Sequence, residues 1–171
     1  MMNRLRILAC ALSMLVMSVG ASAQPYWDMG ASMPSARTYV RGAALDGMLY
    51  VPGGYVSGVG QQAFEYYDPS TDMWNIGPAM PTYRHGAVVA AIGGKLYVAG
   101  GYTSGNATAV LEIFDPVTQV WSLGPPMLSP RHMAAGVAHD GKFYVAGGIS
   151  GSYLATVEVY DPLTNTWAPL A

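Results

Sequence analysis

The chain has 171 residues, 51% of them hydrophobic and only 11% charged, with a formal net charge of −2. Weak acidity without a basic run excludes an electrostatic nucleic-acid binder. A single cysteine excludes a disulfide framework or a cysteine-rich zinc site, while 21 glycines and 12 prolines point to short elements joined by many turns.

In chain order the first element is a leader. Asn3-Arg4-Leu5-Arg6 forms a basic n-region, residues 7–19 are apolar, and Ala21-Ser22-Ala23 supplies a small-residue cleavage site. The apolar run is too short for a stable membrane anchor, so cleavage after Ala23 and export to the periplasm or the extracellular space are expected. Ile7-Leu8-Ala9-Cys10 sits inside the apolar run rather than after it, which argues against lipidation. Cleavage removes Cys10, Arg4 and Arg6, leaving 148 residues with six basic side chains against ten acidic ones. Thiolate chemistry is then closed to the remaining chain.

From Trp27 onward the sequence repeats. Asp-Pro-x-Thr-x-x-Trp occurs at 68–74, 115–121 and 161–167, and Trp27, Trp74, Trp121 and Trp167 step by 47, 47 and 46 residues. The diglycines Gly53-Gly54, Gly100-Gly101 and Gly147-Gly148 keep the 47-residue step, as do Tyr50, Tyr97 and Tyr144, and Arg37, Arg84 and Arg131. Glu112 follows Glu65 by 47 but Glu158 follows Glu112 by 46, so the third copy lacks one residue between its diglycine and its glutamate, where a loop is expected. Units of this size cannot bury an apolar face alone and stack on their neighbours.

Each copy reads as four short strands. In the second, Ala87–Ala91 is an apolar run, Gly93-Gly94 a hairpin turn, Leu96–Ala99 a strand into the diglycine, Val110–Phe114 a third strand and Val120–Leu123 a fourth. No stretch after the leader has a helical period. The prediction is an all-β chain with three four-stranded units at about 38–77, 85–124 and 132–170, plus an extra N-terminal strand at Tyr26-Trp27-Asp28. In the closing motif Asp accepts backbone N–H bonds, Pro pre-sets φ and Thr caps the turn. The tryptophan after it is expected to bury its ring against the next sheet.

These landmarks, a Met-x-x-x-Arg start, Tyr before Gly-Gly, Glu-x-Tyr/Phe-Asp-Pro and a spaced Trp, resemble the kelch repeat, and the resemblance runs from Trp27 to Trp167. It implies a β-propeller with one blade per repeat. Kelch propellers usually have five to seven blades, so three units make an incomplete ring: either the chain is a fragment of a larger propeller or another chain completes the ring. A homodimer closing a six-bladed ring is one such completion.

Alternating strands bring the second-to-third loop and the blade entry to one face, and ligand candidates are sought there. They are Arg37, Arg84 and Arg131, which recur in every copy and could bind a carboxylate or tie blades together. Arg41 replaces Val88 and Ala135 of the other copies, and Tyr55 and Tyr102 lie in the loops. His85 and His132 are register-matched, with Thr38 in the first copy. The repeat glycines Gly53, Gly54, Gly100, Gly101, Gly147 and Gly148 and the tryptophans Trp74, Trp121 and Trp167 are read as structural. Register-matched histidines diverge around a ring, so neither a metal nor another cofactor is expected. Oxidases of the galactose oxidase type need a Cys–Tyr crosslink, and no cysteine follows the leader. No nucleophile elbow or phosphate loop is present. The reading is a non-catalytic exported module that binds a protein or carbohydrate, with a mutarotase- or epimerase-like sugar enzyme as the alternative. Asn106-Ala107-Thr108 is an N-glycosylation sequon of use only in a eukaryotic host.

Overall fold

The structure is a computed structural model in which residues 29–170 are described. The leader, its cleavage site and the strand expected at Trp27 lie outside the described residues. Within them every regular element is a strand.

The first copy forms β1 (Ala43–Leu45), β2 (Met48–Pro52), β3 (Tyr55–Val56), β4 (Val59–Gly60), β5 (Phe64–Asp68) and β6 (Met73–Ile76). The second forms β7 (Val88–Ile92), β8 (Lys95–Ala99), β9 (Tyr102–Thr103), β10 (Asn106–Ala107), β11 (Leu111–Asp115) and β12 (Val120–Gly124). The third forms β13 (Ala135–His139), β14 (Lys142–Ala146), β15 (Ile149–Ser150), β16 (Ser152–Tyr153), β17 (Val157–Asp161) and β18 (Thr166–Leu170). Each copy folds into an antiparallel four-stranded sheet, β1-β2-β5-β6, β7-β8-β11-β12 and β13-β14-β17-β18, with a two-stranded ribbon in the second-to-third loop. These sheets are the three expected blades.

Turn chemistry sets the register. Asp46-Gly47 has both φ values positive, at 49° and 80°, which matches the twist of a two-residue hairpin and places Leu45 opposite Met48. Gly93-Gly94 and Asp140-Gly141 do the same for their blades. In the Asp-Pro turns, Asp115 Oδ1 accepts from Val117 N at 2.9 Å and Asp161 Oδ1 from Leu163 N at 2.9 Å. The missing residue of the third copy falls in its ribbon. Val56 pairs Val59 and Thr103 pairs Asn106 around two-residue turns, whereas Ser150 pairs Ser152 around Gly151 alone.

Two cores lie between blades. Leu45, Tyr50 and Phe64 of the first meet Leu96, Val98 and Phe114 of the second, and Ala90, Tyr97 and Leu111 of the second meet Phe143, Val145 and Tyr160 of the third. The central strands of the second blade, β8 and β11, therefore bury both faces, which explains their lack of polar alternation. The tryptophans correct the expectation from sequence. Trp121 packs on Phe64 of the preceding blade, ring centroids 5.0 Å apart, rather than on the next sheet. Its indole N–H donates to Pro78 O at 2.9 Å, as Trp74 does to Ala31 O and Trp167 to Pro125 O, so each indole fastens the segment that enters its own blade.

Candidate functional site

The recurrent arginines are withdrawn from the ligand-facing set by burial. The side chains of Arg37, Arg84 and Arg131 are 0% exposed, and each pairs with the glutamate of its own copy, Glu65, Glu112 and Glu158. Arg84 Nη1 also donates to Gly100 O at 2.9 Å and Val110 O at 3.0 Å, and Arg131 Nη1 to Gly147 O at 2.9 Å and Thr156 O at 3.0 Å. The backbones of Arg84 and Arg131 bond to the blade before: Arg84 N to Gln61 O, Gly54 N to Arg84 O, and Gly101 N to Arg131 O. These two arginines are thus clamps, backbone in one blade and guanidinium in the next. Burial pulls the Arg84 guanidinium below its ordinary pKa while Glu112 pushes it back up.

What remains on the loop face is an aromatic arc. The backbone of His85 bridges Tyr102 and that of His132 bridges Ile149, as Thr38 bridges Tyr55, so blade entry and loop are stitched together in every copy. Ring centroids lie 4.6 Å apart for Tyr55 and His85, 5.5 Å for His85 and Tyr102, and 4.9 Å for Tyr102 and His132. Tyr39 adds a further ring 5.6 Å from His85. Together Tyr39, Tyr55, Tyr83, His85, Tyr102 and Met133 line a cavity of about 450 Å³ in which no Asp, Glu, Lys or Arg takes part. A second hollow, of about 570 Å³, lies on the other side of Tyr102 and is lined by His132, Ile149 and Pro130. The opposite face carries charge instead, in the pairs Lys95–Asp115 at 3.2 Å and Lys142–Asp161 at 2.9 Å.

The structure brings Tyr55, His85, Tyr102 and His132 together as one surface. Arg41 is exposed but stands apart, its Nη1 donating to Val40 O at 3.1 Å, in a hollow shared with Val88, Val89 and Ala135. Sequence reasoning missed Tyr39, Tyr83 and Met133. Tyr39 and Met133 occupy the register of Gly86, and all three have left-handed φ, at 51°, 55° and 61°. Gly86 N donates to Tyr39 O and Met133 N to Gly86 O, a chain of bonds from blade to blade that holds the conformation. The glycine in one copy was the available signal.

The imidazoles of His85 and His132 are held toward the neutral form. Nδ1 of His85 and of His132 is buried with no hydrogen-bond partner. An unpaired lone pair there is cheaper than an unpaired N–H, which assigns the proton to Nε2. Burial lowers the pKa of both imidazoles from the usual 6.5, and His132 lowers that of His85 further. A folded pKa below the unfolded one gives stability present above 6.5 and lost as pH falls. Melting temperature is therefore expected to drop as pH descends from 6.5, and again below about 3.8, where Asp115 and Asp161, their pKa held down by hydrogen bonds, take protons. Replacing both histidines by Asn should abolish the first drop and leave the second; an unchanged profile would exclude these imidazoles as its source.

Comparison with known proteins agrees with this architecture. Residues 33–171 match the KLHDC2/KLHL20/DRC7 Kelch-repeats domain. The solved structure of YjhT, a kelch-type propeller, superposes with a TM-score of 0.75 at 25% identity, over 85% of this chain and 55% of that one. The chain thus spans about half the length of that neighbour. No curated protein matches the sequence. The chain belongs to the kelch-repeat family.

Proposed function

We propose that this kelch-repeat chain is an exported, non-catalytic binding module that holds a protein partner on its tyrosine and histidine loop face. The observation that carries this reading is the uncharged aromatic cavity, built from loops of successive blades while every repeat arginine is locked away. Rigid rings offer contact area at low entropic cost, and the neighbouring Ser and Gly turns adapt hydrogen bonds to the partner. Export rests on the leader, and amino-terminal sequencing of the secreted protein should begin at Gln24.

A displayed peptide library selected on the immobilised protein tests the face. Binders should lose at least about tenfold in affinity on Tyr102→Ala or Tyr55→Ala, a loss of about 1.4 kcal/mol, with thermal unfolding nearly unchanged. If the same binders are insensitive to both changes but lost on altering the Asp115-Pro116 turn in a folded protein, the site lies on the other face.

A carbohydrate ligand, and with it sugar mutarotase or epimerase chemistry, is the second reading. It rests on His85, a neutral imidazole of depressed basicity between aromatic rings. The arginine and glutamate that would accompany it are held in the clamps, so the imidazole would act alone as proton shuttle. Binding on a glycan array, or anomer exchange by NMR that disappears in His85→Asn, favours this reading over the first.

A further inference from the structure

The backbone carbonyls around the aromatic cavity are already engaged within the chain. Tyr39 O accepts from Gly86 N at 3.0 Å, Tyr55 O from Thr38 N at 3.1 Å and Tyr102 O from His85 N at 3.3 Å, while Val59 O accepts from Gln61 Nε2 at 3.0 Å and Gly105 O from the Tyr102 hydroxyl at 2.6 Å. The imidazoles are disposed the other way. Nδ1 of His85 and of His132 is buried, both side chains are half-buried, and among the described residues Nε2 of neither has a partner. The edge that carries the proton is therefore the edge that reaches the surface, and the wall offers donors to a ligand while keeping its carbonyls for itself.

Tyr102 is the ridge between two hollows, of about 450 and 570 Å³, with His85 in one and His132 in the other. Its ring centroid lies 5.5 Å from the first imidazole and 4.9 Å from the second. The imidazoles thus stand no more than two ring steps apart, comparable with one turn of a polyproline II helix, about 9 Å for three residues. Neither hollow is lined by Asp, Glu, Lys or Arg, so a charged side chain entering either would lose water and meet no counter-charge.

We infer that the loop face takes a proline-rich segment of a partner protein in the polyproline II conformation, laid across Tyr102 with residues i and i+3 in the two hollows and its carbonyls accepting from Nε2 of His85 and His132. The inference rests on the protein-partner reading and names the kind of segment held. Such a segment has no internal hydrogen bonds, so its carbonyls are free, and each proline lacks an N–H that would need an acceptor. Its uncharged rings pack on aromatic faces, and its shape exists before binding, which spares ordering entropy. An ordinary extended strand fits less well. Its N–H groups call for carbonyls that the cavity has already committed, and its side chains recur on one face every second residue rather than every third.

Calorimetric titration of the full chain with two blocked decapeptides tests this. Both carry two prolines in an otherwise identical alanine and serine background, one at the fourth and seventh positions and the other at the fourth and eighth. The first should bind at least about tenfold more tightly than the second. His132→Phe, which keeps a ring but removes the donor, should weaken it about fivefold with the circular dichroism unchanged. Leu163→Ala, on a turn of the opposite face and 95% exposed, should leave it as it is. Equal affinity for the two spacings, no affinity for either, or no effect of His132→Phe overturns the inference. Selection from a displayed library separates it from the reading beneath it. Binders enriched in prolines three apart support it, and binders that lack proline yet are lost in Tyr102→Ala overturn it while leaving the loop-face reading intact. Binders insensitive to Tyr102→Ala overturn both.

Discussion

Arg84→Met should cost about 3–5 kcal/mol of unfolding free energy, the usual consequence of removing one partner of a buried ion pair. Methionine replaces the aliphatic stem, so the loss reports the guanidinium rather than a cavity. Glu112 would remain 0% exposed with only the Thr82 hydroxyl donating to it, at 2.5 Å, and the carbonyls of Gly100 and Val110 would lose their shared donor. One consequence separates this account from general disruption. The double change Arg84→Met with Glu112→Leu should recover much of the loss, because no buried charge is then left unpaired. Urea unfolding at a fixed protein concentration measures both, and a loss under about 1 kcal/mol in Arg84→Met would show that the clamp is not what joins the blades.

The clamp also marks where sequence stops being informative. Arg and Glu recur 28, 28 and 27 residues apart, so a pair was legible in the spacing. Whether the guanidinium faced a channel or a core was not, because strand alternation places a side chain on one side of a sheet without saying which blade lies there. The tryptophans failed for the same reason. Their period announced a repeat, but their direction, toward the blade before, depends on how sheets stack. Local chemistry was more readable: Asp46-Gly47 and Asp140-Gly141 specify two-residue hairpins, and the missing residue of the third copy lies where the loop was expected.

The loop face was half legible. Tyr55, His85, Tyr102 and His132 were found because loops and entry segments at equal repeat positions must share a face. Their meeting as one arc required the backbone bridges His85 to Tyr102 and His132 to Ile149, which no composition reveals. Arg41 drew attention by breaking the apolar pattern of an inner strand, and that break put it in solvent beside Val88 and Ala135 rather than among the rings. Odd residues in a repeat identify a difference between copies, and only the packing around them says whether the difference is a site.

Gly100→Ala should cost about 3 kcal/mol, the sum of backbone strain and overpacking. Gly100 has φ +66°, where an L side chain is strained, and an added Cβ would lie 2.4 Å from Arg131 O and 2.9 Å from the Met127 methyl. The methyl can turn away, but the carbonyl cannot. It accepts from Gly101 N at 2.8 Å, and Arg131 N in turn donates to Thr108 O at 3.1 Å, so yielding would open the seam between the second and third blades. Gly93→Ala is the matched comparison, with φ +57° and nothing within 4 Å of the new methyl; it should pay only the conformational part, about 1–2 kcal/mol. The difference between the two variants in urea unfolding therefore isolates the close approach of the blades. Because Arg131 precedes His132, the Gly100 change should also spread the Tyr102 and His132 rings and weaken the peptide binders that Gly93→Ala leaves untouched. Equal losses in the two variants would mean that φ alone makes this diglycine necessary and that the seam has room to spare.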